Sequence, residues 1–171
     1  EYYDEPYFRL YHSLERIQNI ALNDISIVSA KQKDIPIFVD VINQSYTDLS
    51  VTIEQLNGYT QTEAYLSNLW VMAVDKSTSA VVGCGIADFD KRLREGIIEW
   101  IQVVPAYRKR KIGQLIVNEL LKRMADIADF VTVSGKVNNI TSPEKLYRKC
   151  GFVGDDVWHI LRKSPWHTRN S

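Results

Sequence analysis

The chain has 171 residues, of which 45% are hydrophobic, 25% charged and 11% aromatic. This length suits one globular domain, and the composition excludes a disordered or fibrous protein. Its 21 basic and 21 acidic residues cancel to a net charge of zero, so no global field draws the chain to nucleic acid or to an anionic membrane.

Two further features bear on metal sites and on location. Cys84 and Cys150 are the two cysteines, and they are too few and too far apart for a zinc cluster or a disulfide framework. Each is expected to be a small buried side chain. No apolar run reaches the roughly 18 residues of a membrane span, and residues 1–6 lack the basic and apolar profile of a signal peptide. We therefore expect a cytoplasmic protein that holds no metal and has no membrane partner.

The first residues are interpreted as an extension of the main domain. Apolar residues within the first 22 positions recur at spacings of three and four, which predicts a helix over residues 5–22. We expect this helix to pack on a sheet or to mediate a homodimer. The domain boundaries are then a helical extension at 1–24, a main domain at 25–163 and a loose polar tail at 164–171.

From residue 25 onward, short helices and strands alternate. In chain order the predicted elements are a strand at 25–28, a helix at 36–42, short helices within 47–66, strands at 69–74, 81–89 and 97–104, a helix at 112–127, a strand at 130–133, a helix at 143–150 and a closing hairpin at 152–161. Antiparallel meanders combined with a strand–helix–strand crossover predict a mixed α/β sheet with helices on its faces.

The most informative stretch lies where a predicted strand ends at Pro105 and an amphipathic helix begins near Lys111. The first N–H groups of a helix have no partner within it, and the helix dipole places positive charge behind them. Such a terminus binds anions, diphosphate among them. The residues between strand and helix add positive charge: Arg108, Lys109, Arg110 and Lys111. Gly113 would let a ligand approach the backbone closely.

The same stretch also has a purely structural interpretation, in which it is a solvated basic cap on the helix. Basic side chains at a helix N-terminus oppose the dipole at a cost of some tenths of a kcal/mol. An arrangement that is unfavourable on its own is easier to understand if an anion binds there. The residues alone leave both interpretations open.

Two blocks of the sequence resemble a known family. Tyr107-Arg108-x-x-Lys111-x-Gly113 resembles the cofactor signature of the GNAT superfamily of acyl-CoA-dependent N-acyltransferases, which is Gln or Arg, two residues, Gly, one residue, then Gly or Ala. The segment 138–152 is similar to the family's later motif, an Asn followed by Leu-Tyr, Lys and Gly-Phe. The resemblance covers roughly residues 25–162. Lys111 departs from the signature, because it stands at the first glycine.

This resemblance implies a fold and a co-substrate. It implies a mixed, mostly antiparallel sheet flanked by helices, in which two parallel strands, here 97–104 and 130–136, splay apart and leave a gap for acetyl-CoA. The residues implied to bind CoA are Ile101, Gln102 and Val103 for the pantetheine amides, Arg108, Lys109, Arg110, Lys111, Ile112, Gly113 and Gln114 for the diphosphate, and Asn138 or Asn139 together with Tyr147 for the rest of the arm.

Three residues are assigned to the chemistry. The Val103 N–H would polarise the acyl carbonyl, and Tyr147 matches the family's general acid, which protonates the departing thiolate. Glu99 is the candidate base, because it lies four residues before Val103 on the same strand face and apolar neighbours would raise its pKa. The structural alternatives are a packing tyrosine and a strand glutamate paired with an arginine. The alternative bases are Asp88, Asp90 and His159.

The acceptor site is expected in residues 47–66, since loops over a sheet usually carry specificity. The aromatic side chains predicted to line it are Tyr46, Tyr59, Tyr65 and Trp70. Each of them taken alone is more typical of the core. The acceptor itself would be a small-molecule or peptide amine.

The sequence leaves three functions to compare. The first, which we take as the prediction, is transfer of an acetyl group from acetyl-CoA to a primary amine by direct attack in a ternary complex. The second is a catalytically silent acyl-CoA-binding sensor or interaction module, suggested by Lys111. The third is a nucleic-acid patch at 108–111, which zero net charge and the lack of interleaved aromatic residues disfavour.

Overall fold

The structure, a computed structural model, describes residues 2–45, 50–139 and 141–163. Seven strands form one sheet in the order β2-β3-β4-β5-β6-β1-β7. The strands are β1 (Tyr2–His12), β2 (Ile25–Ser29), β3 (Trp70–Asp75), β4 (Val81–Asp90), β5 (Glu95–Val103), β6 (Phe130–Lys136) and β7 (Val153–Lys163). Four helices flank the sheet: α1 (Ile35–Ser45), α2 (Ile53–Tyr59), α3 (Ile112–Met124) and α4 (Pro143–Lys149). The predicted tail at 164–171 lies outside the described residues.

The sheet is mixed, as predicted. Within it, β5 and β6 are parallel, and every other neighbouring pair is antiparallel. The parallel pair arises because α3 connects β5 to β6, and such a crossover returns the chain to the same end of the sheet. The gap between two parallel strands that the resemblance implied therefore lies in the middle of the sheet.

Two apolar clusters, one on each face, hold the helices to the sheet. The first cluster joins α3 to β4, β5 and β6, with Val117 and Leu121 fully buried. The second joins α1 and α2 to β3 and β4 through Phe38 and Leu56. A buried side chain of this size contributes about 1.5–3 kcal/mol, so the two layers are firmly attached to the strands between them.

The predicted helix at 5–22 is wrong, because Tyr2–His12 forms strand β1 between β6 and β7. Phe8, Leu10 and His12 are buried, whereas the residues between them are half-buried or exposed, so the side chains alternate with a period of two. The spacing of three and four was also present, but pairing with two neighbouring strands decided the outcome. Because these residues form a strand, the homodimer contact that we expected from the helix loses its premise.

The closing hairpin predicted at 152–161 is also wrong. Val153–Lys163 is one continuous strand that pairs with β1 along most of its length. Gly154, with φ of 131°, sits where the β1–β7 register shifts, so this glycine accommodates an irregularity rather than a hairpin turn.

Candidate active site

Strands β5 and β6 separate partway along their length. They pair from Glu95 to Ile98 on β5 and from Phe130 to Val133 on β6. Beyond that point β5 continues beside β4, and β6 continues beside β1. Within the described chain, no strand pairs with residues 99–103 on their β6 side. A slot therefore opens in the sheet along these residues.

A bulge at Glu99 marks the start of the slot. Trp100 pairs with Ile86 and Ile98 with the next residue of β4, so Glu99 is an extra residue on β5. The extra residue interrupts the alternation of side chains. Ile98 consequently packs in the α3 cluster together with Ile101 and Val103. The expectation that Glu99 and Val103 share a face rested on an uninterrupted period of two, and the bulge breaks that period.

Alternate residues of β5 point their backbone N–H and C=O groups into the slot. The Val104 N–H donates to the Val82 carbonyl at 2.9 Å, which makes this pair a hydrogen-bonded one. In an antiparallel ladder such pairs alternate with pairs whose N–H and C=O groups point away from each other. Ile101 and Val103 belong to the second kind, so their backbone N–H and C=O groups face the slot. The backbone groups of Gln102 point toward Cys84 of β4 instead. This alternation leaves the predicted pantetheine pairing to Ile101 and Val103.

The Val103 carbonyl has a partner already. Arg108 donates from Nε to this oxygen at 3.2 Å, and its side chain is exposed. The Arg108 side chain thus folds back over the end of β5. A ligand amide that pairs with the Val103 carbonyl either shares this oxygen with Arg108, since a carbonyl has two lone pairs, or displaces the long hydrogen bond.

The loop after β5 bends through two left-handed residues. Lys109 and Lys111 both have φ of 63°, and Lys111 is the N-cap of α3. Within residues 2–45, 50–139 and 141–163, the N–H groups of residues 109–114 meet no hydrogen-bond acceptor. These donors sit at the positive end of a 13-residue helix dipole. The loop thus has the donor set and the field that an anion such as diphosphate requires.

Sequence reasoning missed the contacts that hold this loop. Arg110 pairs with Asp24 at 2.5 Å and lies over the Tyr107 ring at 4.7 Å. The Tyr107 hydroxyl donates to Asp75 Oδ2 at 2.9 Å. The Arg110 side chain is therefore held against the start of β2, and its predicted cofactor contact is left to its backbone N–H. The sequence signal was Asp75, which directly follows the predicted strand at 69–74, because an Asp in that position is typical of a turn-capping residue.

Asp75 is buried and ionised. Hydrogen bonds from the Ser77 hydroxyl and N–H, and then from the Tyr107 hydroxyl, lower the pKa of Asp75 from 3.8 to about 2. The carboxylate anchors the turn between β3 and β4 to the loop at 105–111.

Gly113 has a packing role that the sequence did not indicate, and its predicted role in close ligand approach stays a prediction. A Cβ on Gly113 would lie 3.2 Å from a methyl group of Leu146, which is tighter than an ordinary contact. The missing side chain therefore lets α4 pack closely on the first turn of α3. This contact brings the later motif against the loop that carries the free N–H groups.

Tyr147 projects from α4 into the α3 side of the sheet. It is 7% exposed, and its ring contacts Phe8 and Phe152 at centroid distances of 6.4 and 5.8 Å. The structure thus shows the packing role considered for this residue. Its predicted role as an acid stays a prediction.

Asn138 and Asn139 follow β6 and line an open cavity of about 150 Å³ together with Phe8 and Lys145. Asn139 accepts hydrogen bonds from the N–H and the hydroxyl of Thr141 at 3.0 and 2.9 Å. Asn138 is exposed and left-handed, with φ of 63°. Of the two candidates, Asn138 therefore has the side chain that is less engaged by its own loop.

Glu99 and Asp88 form a pair of carboxylates beside the slot. Glu99 keeps one side open to solvent, yet burial by the surrounding protein and then the charge of Asp88 raise the pKa of Glu99. Burial also raises the pKa of Asp88. Asp90, the second alternative base, accepts hydrogen bonds from the N–H groups of Arg92 and Leu93 in the next turn. His159, on β7, contacts Asp4 at 2.8 Å and lies three strands from β5.

The predicted acceptor residues lie mostly in the α1 layer. Trp70 is 3% exposed and packs between Phe38 and Tyr65 at 5.4 and 5.7 Å. The cavity beside Tyr65 and Trp70 is about 10 Å³, which is room for a single water. Tyr46 lies outside the described residues, and Tyr59 is exposed on α2. The roles of these aromatic residues in acceptor binding stay predictions.

Residues 2–45, 50–139 and 141–163 contain no cluster of three or more His, Cys, Asp or Glu side chains suited to a metal ion. No helix in those ranges has the length and apolar character needed to span a bilayer.

Comparison with solved structures shows the fold. A GCN5-related N-acetyltransferase from Sphaerobacter thermophilus matches with a TM-score of 0.74 and 18% identity over 94% of this chain and 51% of that one. The ribosomal-protein-S18-alanine N-acetyltransferase from Escherichia coli matches with a TM-score of 0.63 and 14% identity, over 86% of this chain and 99% of that one. Ard1 from Thermoplasma volcanium matches with a TM-score of 0.65 and 16% identity, over 81% of this chain and 97% of that one. The chain spans about half the length of the Sphaerobacter protein.

Sequence comparison gives the family. No curated protein sequence matches the chain. The family model described as the acetyltransferase (GNAT) domain matches residues 66–154, which is more than half of the chain and includes the slot, the loop and α4. The match supports acyl transfer as the general chemistry. The chain belongs to the GNAT acetyltransferase domain family.

Proposed function

We propose that this protein transfers an acetyl group from acetyl-CoA to a primary amine by direct attack in a ternary complex. One observation carries the proposal: the stretch of β5 at residues 99–103 has no strand beside it on the β6 side, and it leads directly to the N–H groups of residues 109–114, which meet no acceptor in the described chain. A slot that accepts amides and a loop that accepts phosphates, joined by a few residues, match the two ends of the CoA arm.

The residues that would hold CoA follow from this geometry. Ile101 and Val103 offer backbone groups to the pantetheine amides, as a neighbouring strand would. The N–H groups of residues 109–114 bind the diphosphate, and the exposed side chains of Lys109 and Lys111 add positive charge. Arg108 shares the Val103 carbonyl with the cofactor amide or leaves it when that amide pairs there. Asn138 binds the arm from the β6 side.

The chain's residues would then act on the thioester in turn. The Val103 N–H stabilises the negative charge that develops on the acyl oxygen when the amine nitrogen attacks the carbonyl carbon. The C–S bond breaks, and the Tyr147 hydroxyl donates its proton to the departing thiolate. Before the attack, Glu99, with its raised pKa, takes the proton that the substrate ammonium must lose to become a nucleophilic amine, directly or through water.

The experiment measures thiol release from acetyl-CoA across a panel of amines that includes small amines, peptide N-termini and lysine side chains. Tyr147→Phe keeps the ring packing and removes the hydroxyl, so turnover should fall by about 100-fold or more while the Kd for CoA changes less than about threefold. Tyr11→Phe is the matched control, since Tyr11 is exposed and stacks on Phe130 away from the slot.

Three outcomes would count against the proposal. Equal turnover in Tyr147→Phe and Tyr11→Phe would refute the acid assignment. Thermal stabilisation by CoA without thiol release from any amine would favour the silent acyl-CoA-binding module. No response to CoA by either measure would remove the slot and the loop as its site.

A further inference from the structure

The loop at 105–111 is held by its side chains more than by its backbone. Two backbone hydrogen bonds, of 2.9 and 3.3 Å, close the short turn at Pro105–Tyr107. Beyond this turn, Lys109 and Arg110 make no backbone hydrogen bond to any residue in the described ranges. Backbone bonding therefore does not explain why the second half of the loop keeps its conformation.

That conformation is unfavourable on its own. Lys109 and Lys111 both have φ of 63°, and in this region the Cβ atom of an ordinary residue comes close to a backbone oxygen. Such residues keep a left-handed conformation where the surrounding structure imposes it. Contacts from outside the loop must therefore fix these two bends.

Tyr107 lies at the centre of the contacts that reach the loop from outside. Its hydroxyl donates to Asp75 Oδ2 at 2.9 Å, and its ring packs against the α3 cluster. The Arg110 guanidinium lies over the same ring at 4.7 Å and pairs with Asp24. The Tyr107 side chain thus joins the two halves of the loop to one patch at the ends of β2 and β3.

This patch is fixed independently of the loop. Asp75 is 6% exposed, and its Oδ1 accepts hydrogen bonds from the Ser77 N–H and hydroxyl at 2.8 and 2.6 Å. The Lys76 N–H donates to the Asp24 carbonyl at 2.9 Å. Among the described residues, Asp75 Oδ2 accepts from Tyr107 alone. The carboxylate therefore has one oxygen for its own turn and one for the loop.

We propose that Tyr107 is a positioning residue for acetyl-CoA: its hydroxyl, bonded to Asp75, keeps the N–H groups of residues 109–114 available to the diphosphate before the cofactor arrives. This inference rests on the proposed function. A ligand that binds a pre-formed loop does not pay for ordering it. Where the competent conformation is populated in only a fraction of molecules, the apparent Kd rises by the inverse of that fraction.

The position of Tyr107 separates cofactor affinity from the chemical step. Within the described chain, its hydroxyl bonds to Asp75 and to none of the groups assigned to acyl transfer. Once CoA is bound, the diphosphate itself holds the N–H groups in place. Loss of the hydroxyl should therefore raise KM for acetyl-CoA and leave kcat nearly unchanged.

Tyr107→Phe tests this directly, because it keeps the ring under Arg110 and removes the hydroxyl. The Kd for CoA from isothermal titration, and the KM for acetyl-CoA, should each rise about tenfold, as expected for the loss of a hydrogen bond to a charged group. The kcat at saturating acetyl-CoA should change less than about twofold. Tyr11→Phe is the matched control and should change none of these values, since Tyr11 stacks on Phe130.

A shorter donor separates positioning of the loop from a general effect on the fold. S-acetylpantetheine carries the amides that suit the slot but has no diphosphate. Its kcat/KM should change less than about twofold in Tyr107→Phe, because it does not use the N–H groups of the loop. A merely structural role of the hydroxyl would weaken both donors by the same factor.

A double-mutant cycle tests whether the hydroxyl acts through the carboxylate. If it does, Asp75→Ala combined with Tyr107→Phe should bind CoA no more weakly than the weaker of the two single variants. Thermal melts of all variants ensure that each is compared as a folded protein.

Four results would count against the inference. Equal CoA affinity in Tyr107→Phe and Tyr11→Phe, or additive losses in the cycle, would overturn it and leave the proposed function standing. Equal losses with acetyl-CoA and S-acetylpantetheine would do the same. An unmodified chain that does not bind CoA would remove the proposed function and this inference with it.

Discussion

Lys111 stands in a left-handed conformation where the family signature has glycine, and this predicts an unusual response to substitution. Its φ is 63°, its side chain is exposed, and it makes no side-chain cap to α3. A Cβ in this conformation costs roughly 1–2 kcal/mol. Glycine removes that cost but adds about 0.5–1 kcal/mol of unfolded-chain entropy. Lys111→Gly should therefore be more stable than Lys111→Ala by about 0.5–1 kcal/mol.

The matched control is the same pair of substitutions at Asp40, an exposed residue in the middle of α1. There the glycine variant should be less stable than the alanine variant by about 0.8–1 kcal/mol, because the backbone is helical. Urea unfolding gives the differences, and about 1 kcal/mol corresponds to 2–4 °C in Tm for a chain of this size. The same sign of difference at both positions would refute the left-handed assignment.

The two Lys111 variants also separate conformation from charge in cofactor binding. Both remove the same positive charge, so both should weaken CoA binding by a similar factor if the lysine acts through its ammonium. If only Lys111→Ala binds CoA weakly, the loop conformation rather than the charge decides the affinity. Isothermal titration with CoA measures both.

Three further predictions test the site and its supports. Asp88→Asn should shift the acidic limb of the kcat/KM profile to lower pH, because removing the Asp88 charge lowers the raised pKa of Glu99, which must be ionised to act as a base; Asp90→Asn should leave the limb in place. Gly85→Ala should lower Tm by several degrees in a thermal melt, since its Cβ would lie 2.5 Å from Ile116 Cγ2 and overpacking costs about 1–3 kcal/mol. In the folded protein the pKa of Asp75 is lowered from 3.8 to about 2, so the ionised carboxylate stabilises the fold above about pH 3.8, and this contribution is lost as the pH falls toward 2. Asp75→Asn lacks this contribution. Its free energy of unfolding, measured with urea, should therefore fall less than that of the unmodified chain between pH 4 and about pH 2.

Patterns within a single element predicted most of the fold. The strands at β2 to β6 and the helices at α1, α3 and α4 were confirmed near their predicted positions, because each has its own apolar period and its own stop signal. β1 failed because Phe8 and Leu10 fit both a helical and an alternating pattern. The choice between the two was made by pairing with β6 and β7, which lie more than 100 residues away in the chain.

The site shows the same division between local and distant causes. The basic loop and the first turn of α3 were predicted from adjacent residues, and α3 begins at Ile112, as expected. The bulge at Glu99 depends on how β4 and β5 fit together, so the face of that carboxylate was not predictable from β5 alone. The absence of a side chain at Gly113 makes room for Leu146, and this contact exists only because α4 packs on α3.

The slot and the outer edge of β7 expose the same chemistry, a row of backbone N–H and C=O groups without a strand partner, yet they suit different occupants. The slot runs over residues 99–103, about 17 Å of strand, and β6 bounds its far side. An extended arm with a few amides fits there, and a protein strand with side chains on both faces does not. The edge of β7 spans eleven residues and has no described strand on its outer side, which is room for a whole strand. Where pairing stops inside the sheet, a small amide-bearing ligand can therefore complete the ladder, whereas the rim of the sheet has the length for a full strand.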